Sequence, residues 1–158
     1  MRGRPFGTSL FQRRLSTSGQ DTSPGDTAKR FIGTWRLVSI VGASAESEAN
    51  RGSDPTGVIY YDSNGQMAVQ IMPGRACPLY AGTLPAPDEA RAAILGYTAY
   101  FGTYAIDERK QTVTHHRLGN INPGGLGDYV RRYEFLSDDR IILMPVESTS
   151  RLTWERIK

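Results

Sequence analysis

The sequence predicts an all-β fold: an antiparallel up-and-down β-barrel of about eight strands, with one short helix near the barrel end. Three observations carry that prediction. From residue 31 onward the chain is a succession of short apolar runs parted by turn signals. Four of the seven connections between those runs are of hairpin length, which favours strands that pair in sequence order. Glycine, at 17 residues, and tyrosine, at 8, are well supplied for tight turns and strands. Strands of that number, closed in that order, leave an interior just wide enough for one small ligand.

The elements follow in order. Phe31–Val41 reads as the first strand and Gly42–Pro55 as a polar loop. Thr56–Asp62 and Gln66–Met72 are the next two strands, joined by Asp62-Ser63-Asn64-Gly65, whose Asn-Gly pair is a strong hairpin signal. Pro73 to Pro87 contains four prolines and cannot be a central strand. Asp88 to Leu95 follows Pro87 with early acids and good helix formers, which predicts a helix of about two turns, plugging or capping one end of the barrel. Tyr97–Ile106 and Thr112–Leu118 are the fourth and fifth strands, and the glycine-rich stretch 119–127 is a long loop. Tyr129–Leu136, Arg140–Val146 and Arg151–Ile157 complete the set, with Ser137-Asp138-Asp139 and Glu147-Ser148-Thr149-Ser150 as turns.

Residues 1–30 read differently and are set apart as a disordered or cleavable basic arm, leaving 31–158 as the folded domain. The arm is rich in Arg, Ser, Thr and Gly, has no acid before Asp21, and lacks an apolar run long enough for a secretory signal or membrane span. Arg-rich, Ser-rich and acid-poor is the composition of an organellar import peptide, and Arg13-Arg14-Leu15-Ser16 resembles a mitochondrial processing site. A plain disordered extension, or a start codon placed too far upstream, explains it equally well. Removal of residues 1–28 is expected to leave folding intact.

The net charge of +3 and pI near 9.2 invite a nucleic-acid reading, but the charge is not where such a partner needs it. Residues 1–30 hold six basic groups against two acids, leaving thirteen against fourteen for the rest of the chain. A near-neutral fold offers no footprint for a phosphate backbone, so neither nucleic acid nor membrane is the expected partner. Cys77 stands alone, so no internal disulfide forms, which fits an intracellular setting, mitochondrial or cytoplasmic according to the fate of the arm. It reads as a small hydrophobe near a loop, with a reactive thiol as the alternative.

Gly33-Thr34-Trp35 at the start of the first strand resembles the Gly-x-Trp mark of lipocalins. A longer ordered series resembles the lipocalin-like domain family of bacteria and fungi: Gly33 to Ser39, Pro55 to Tyr61, Gly65-Gln66-Met67, Tyr97 to Tyr104, Val113-Thr114-His115-His116 and Leu152 to Arg156. The resemblance spans nearly everything after residue 30. It implies the barrel and a ligand cavity but no particular reaction, because one fold hosts many roles. It also implies that Arg156 on the last strand packs across Trp35 and closes the barrel floor, a structural pairing worth about 1–2 kcal/mol.

Within the barrel, period-two alternation picks out candidates for the cavity wall. Tyr100 and Tyr104 share a face across Gly102, and Tyr129, Arg131, Tyr133 and Phe135 share another. Tyrosine rows with one arginine suit a small-molecule pocket, Arg131 pairing with a carboxylate or enolate; the same residues also serve as core and rim. His115 and His116 are adjacent, so only one faces inward and the pair is no metal site. His115 is the inward candidate because it shares a face with Val113, although Arg117 lies on that face too. It is either a tentative general acid or base or a hydrogen-bonded residue that shapes ligand choice. The glycines at 119, 124, 125 and 127 match no phosphate cradle, and no Ser–His–acid order or acid-rich cation loop is present, so neither cofactor nor metal is read from the chain.

Two functions follow as expectations. The first is binding of a small hydrophobic or aromatic molecule in the barrel cavity. The second is a cavity enzyme of isomerase, cyclase or dehydratase type, with His115 moving a proton and Tyr100 or Arg131 steadying negative charge. A subunit that uses the barrel surface for protein contacts is a third, weaker reading. The oligomeric state is not legible.

Overall fold

A computed structural model describes residues 25–158. Eight antiparallel strands close into a barrel in sequence order: β1 (Gly33–Val41), β2 (Thr56–Tyr61), β3 (Gln66–Met72), β4 (Thr98–Asp107), β5 (Thr112–Asn120), β6 (Gly127–Ser137), β7 (Arg140–Pro145) and β8 (Arg151–Arg156). The ring closes where Trp35 of β1 lies opposite Arg156 of β8 on one side and opposite Ile59 of β2 on the other. Alternation along each strand supplies the core. In β3, Met67, Val69 and Ile71 are buried while Gln66, Gln70 and Met72 face out. The β2–β3 turn is held by the Asp62 carboxylate, which accepts from the backbone N–H groups of Asn64 (2.8 Å) and Gln66 (2.7 Å), with Gly65 at φ +82°.

Three ladders are interrupted, the β6–β7 one at Leu136 beside its turn and the other two in mid-strand. In the β1–β8 ladder Val38 is extra, and in the β4–β5 ladder Leu118 is extra between Arg117, opposite Gly102, and Gly119, opposite Phe101. The second bulge shifts the phase of β5, so that Arg117 and Asn120, three residues apart, both face the interior.

Among the described residues there are three helices rather than one; one of them falls on the expected segment, but it does not have the place in the barrel expected for it. α1 (Asp26–Phe31) falls partly in the stretch read as an arm; residues 1–24, with the import-peptide reading, lie outside the described residues. Its last residue, Phe31, is fully buried and closes one end of the barrel, edge-on to Tyr61, Tyr133 and Phe135 at centroid distances of 5.4, 5.0 and 5.2 Å. α2 (Ala45–Arg51) occupies the expected 42–55 loop; the Ser44 hydroxyl caps it by accepting from Ser47 N–H, and Gly52, at φ +77°, ends it. α3 (Pro87–Ile94) is close to the predicted segment, and Glu89 reaches back to the N–H of Ala86 at 2.7 Å. It buries no residue and lines no part of the interior, so it does not plug the barrel as expected; α1 does that at one end, and α2 stands at the other.

Cys77 corrects another expectation. It is exposed, because the proline-rich stretch that carries it runs outside the barrel wall. No helix among the described residues is long and apolar enough to cross a membrane.

Candidate functional site

The end of the barrel opposite Phe31 is open. A cavity of about 770 Å³ begins there, walled by Ile40, Ile71, Tyr97, Tyr100, Tyr129 and Leu152 and rimmed by α2 and the loops after β1, β5 and β7. Three guanidinium groups meet in it: Arg131 from β6, Arg117 from β5 and Arg51 from α2. Arg117 and Arg131 both stand against the ring of Tyr129, with their Cζ atoms 4.8 and 4.6 Å from its centroid. Arg51 donates to Thr98 Oγ1 at 3.3 Å and to Ser47 Oγ at 3.4 Å. Among the described residues, no carboxylate lies within ion-pair distance of any of the three.

Below the arginines runs a buried hydrogen-bond chain. Arg131 Nη2 donates to Tyr100 Oη at 3.0 Å. Tyr100 Oη lies 2.8 Å from His115 Nδ1, and His115 Nε2 lies 2.7 Å from Tyr61 Oη. Among the described residues Tyr61 Oη has the imidazole as its one polar partner, and a buried hydroxyl proton needs an acceptor. Tyr61 therefore donates to Nε2, which puts the imidazole proton on Nδ1, donating to Tyr100. The Tyr100 oxygen then receives two N–H groups, one of them cationic. Its own proton is left without an acceptor among the described residues, on a side chain that lines the cavity.

Electrostatics agrees with a neutral imidazole. Burial, then the charges of Arg131 and Arg117, push the His115 pKa well below its ordinary 6.5. Burial likewise raises Tyr61 well above 10.0 and raises Tyr100, where Arg131 and Arg117 pull the other way. Burial and then the Arg131 charge lower the Arg51 pKa.

The sequence candidates are thus divided by height along the barrel. Tyr100, Tyr129 and Arg131 lie in the cavity wall. His115 is inward, as its face predicts, but sits one layer below and reaches the cavity only through Tyr100. His116 points outward and pairs with Asp128 at 2.6 Å. Tyr104 and Tyr133 do not line the cavity: Tyr104 donates to the carbonyl of Asp62 at 2.7 Å, and Tyr133 packs on Phe31. Alternation identifies a face, not a depth, and both tyrosines belong to the closed end. At that end, the Arg156 guanidinium carbon lies 4.1 Å from the Trp35 ring centroid.

Three participants escape the sequence reading. Tyr61 alternates with Ile59 in the run Thr56–Tyr61, a pattern that could have marked it as inward. Arg51 could have been found through the start and stop signals of α2, namely Ser44, the acids Glu46 and Glu48, and Gly52. Phe31 carries no distinguishing signal.

A family model described as a lipocalin-like domain matches residues 32–157. No curated protein matches the chain. Among solved structures it is similar to a duf4847 family protein from Bacteroides vulgatus, at 13% identity and a TM-score of 0.47, over 85% of this chain and 99% of that one. It is also similar to wild-type fluorescent protein UnaG, at 16% identity and a TM-score of 0.37, over 82% and 99% respectively.

Proposed function

As this chain belongs to the lipocalin-like domain family, we propose that it binds a small aromatic molecule inside the barrel. The observation that carries the reading is the open cavity of about 770 Å³ at the α2 end. Pockets for small organic ligands run to roughly 300–1,000 Å³ and combine apolar walls with a few placed polar groups. Here Ile40, Ile71 and Leu152 supply apolar wall, Tyr97, Tyr100 and Tyr129 supply ring faces, and Arg131 and Tyr100 supply fixed donors. Native mass spectrometry of the purified full chain is expected to find a bound small molecule, released by denaturation. A protein that carries a partner chain instead, and takes up no aromatic probe, overturns the reading.

One observation favours a second reading, a cavity enzyme. The unclaimed Tyr100 proton, on an oxygen already receiving Arg131 and His115, is the arrangement of a proton donor whose phenolate is stabilised in place. In this reading Tyr100 meets the substrate, and His115 positions and polarises it from below. With the co-purified molecule in hand, Tyr100→Phe should abolish its conversion while weakening binding by no more than about tenfold, the worth of one neutral hydrogen bond; binding lost together with conversion assigns Tyr100 to recognition alone.

A further inference from the structure

We infer that the ligand of this cavity carries a carboxylate, seated among Arg51, Arg117 and Arg131 at the mouth with its aromatic body below. The inference rests on the cavity-binding reading and adds the chemical class of the ligand. Its first support is an imbalance of charge. Three guanidinium groups line one cavity, and the acid on its rim, Glu147, is within ion-pair distance of none of them. Buried or half-buried cations ordinarily have an anionic partner, because removing them from water without one is costly.

The second support is a set of unfilled donors. Arg131 is about 95% buried, and its Nε–H has no acceptor among the described residues; Arg51 Nη1 is likewise buried without one. Both side chains face the same cavity. A guanidinium presents its N–H groups as a planar fork matched to two carboxylate oxygens, and buried donors left empty in this way call for an acceptor from outside the chain. The third support is fixed geometry. The Tyr129 ring holds Arg117 and Arg131, Thr98 and Ser47 hold Arg51, and Tyr100 holds the inner edge of Arg131. The donors are therefore in position before any ligand arrives, which limits the entropy lost on binding. The Tyr100 proton faces the same cavity and adds a neutral donor beneath the cations.

Two dyes of one scaffold test the charge apart from the cavity. Anilinonaphthalene sulfonate carries one anionic group, tetrahedral where a carboxylate is planar, so it probes the charge, while the planar anion naphthoate probes the shape; phenylnaphthylamine is the neutral counterpart of the dye. Fluorescence titration of the full chain at low salt should give tighter binding of the anion by at least about tenfold. Naphthoate should displace it, while inorganic phosphate at the same concentration should not. Arg131→Met and, separately, Arg51→Met should bring the two dyes to within about threefold of each other. The Arg51 variant, half-exposed on a short helix, keeps the test available if Arg131→Met fails to fold. Equal affinity of the two dyes for the unaltered chain overturns the carboxylate inference and leaves the cavity reading standing. Displacement by phosphate alone also overturns it, and binding of neither dye ends both readings.

Discussion

The guanidinium of Arg156 stands over Trp35, 4.1 Å from the ring centroid, and its N–H groups at the same time hold the backbone that leads into the barrel. Nη1 donates to the carbonyl of Ile32, and Nη2 donates to those of Arg30 and Asp138, at 2.7 and 3.2 Å. One side chain thus ties the first strand, the last strand, the end of α1 and the β6–β7 turn. Arg156→Met keeps the aliphatic stem and removes every one of those bonds. The expected loss is about 2–4 kcal/mol, from the cation–π contact and charge-assisted bonds together, read as a lower midpoint in urea with unchanged slope. A midpoint within error of the unaltered chain would reduce the contact to a surface ornament.

Phe31 closes the same end from within. Its ring is fully buried and edge-on to three aromatic rings, so Phe31→Ala leaves a cavity that β-strands cannot collapse to fill. The cost should be about 3–5 kcal/mol by thermal or urea unfolding. We propose that residues 25–158 carry the fold, and a chain beginning at Gly25 should unfold with the midpoint of the full chain. A cut at residue 28 removes the first half of α1 and should lower the midpoint, contrary to the expectation drawn from composition.

At Gly102 the β4 and β5 backbones pass so close that a Cβ would collide with the carbonyl oxygen of His116. Gly102→Ala must therefore open the bulge that aims Arg117 and Asn120 inward. A loss of about 1–3 kcal/mol is expected, together with weakened anionic-dye binding. Full stability with full binding would mean that the bulge is not what positions Arg117.

These residues show how far the sequence reaches. Alternation in the runs after residue 30 was enough for strand number, order and pairing, because strands joined by short turns have few other ways to close. It also picked His115 over His116. It could not tell that Tyr104 and Tyr133 sit at the closed end, since period two carries no depth. Nor could it find the cationic mouth. Arg51 and Arg117 lie 66 residues apart, on a short capped helix and beside a bulge, and only the closed ring brings them to Arg131.

The buried chain from Tyr61 to Tyr100 makes its own prediction. Tyr61→Phe removes the hydroxyl that donates to His115 Nε2 and leaves a buried acceptor empty, for about 1–3 kcal/mol of stability. A double-mutant cycle with His115→Gln should return a coupling of at least about 0.5 kcal/mol; additive losses would mean that the contact contributes nothing of its own.

The same imidazole should also set how the barrel responds to acid. Its folded pKa is depressed well below 6.5 by burial and then by Arg131 and Arg117, so the native state refuses a proton that the unfolded chain accepts. The sign follows: the stabilisation is fully present above about pH 6.5 and is lost on acidification, at up to about 1.4 kcal/mol per pH unit, until the folded pKa is reached. Asp107 and Glu89, whose pKa values are lowered by backbone hydrogen bonds, act in the same direction only from their ordinary values of 3.8 and 4.5 downward. The interval from about pH 6.5 to 5 therefore lies above both carboxylates, and because His116 is common to both proteins, the difference between the unaltered chain and His115→Gln reads His115. Urea midpoints should fall steadily across it in the unaltered chain and much less in His115→Gln, whatever the starting stability of that variant. Parallel curves would mean that the Tyr61–His115–Tyr100 chain accepts a proton without cost, and that the imidazole is not the neutral link its two tyrosine partners and the neighbouring guanidinium groups require.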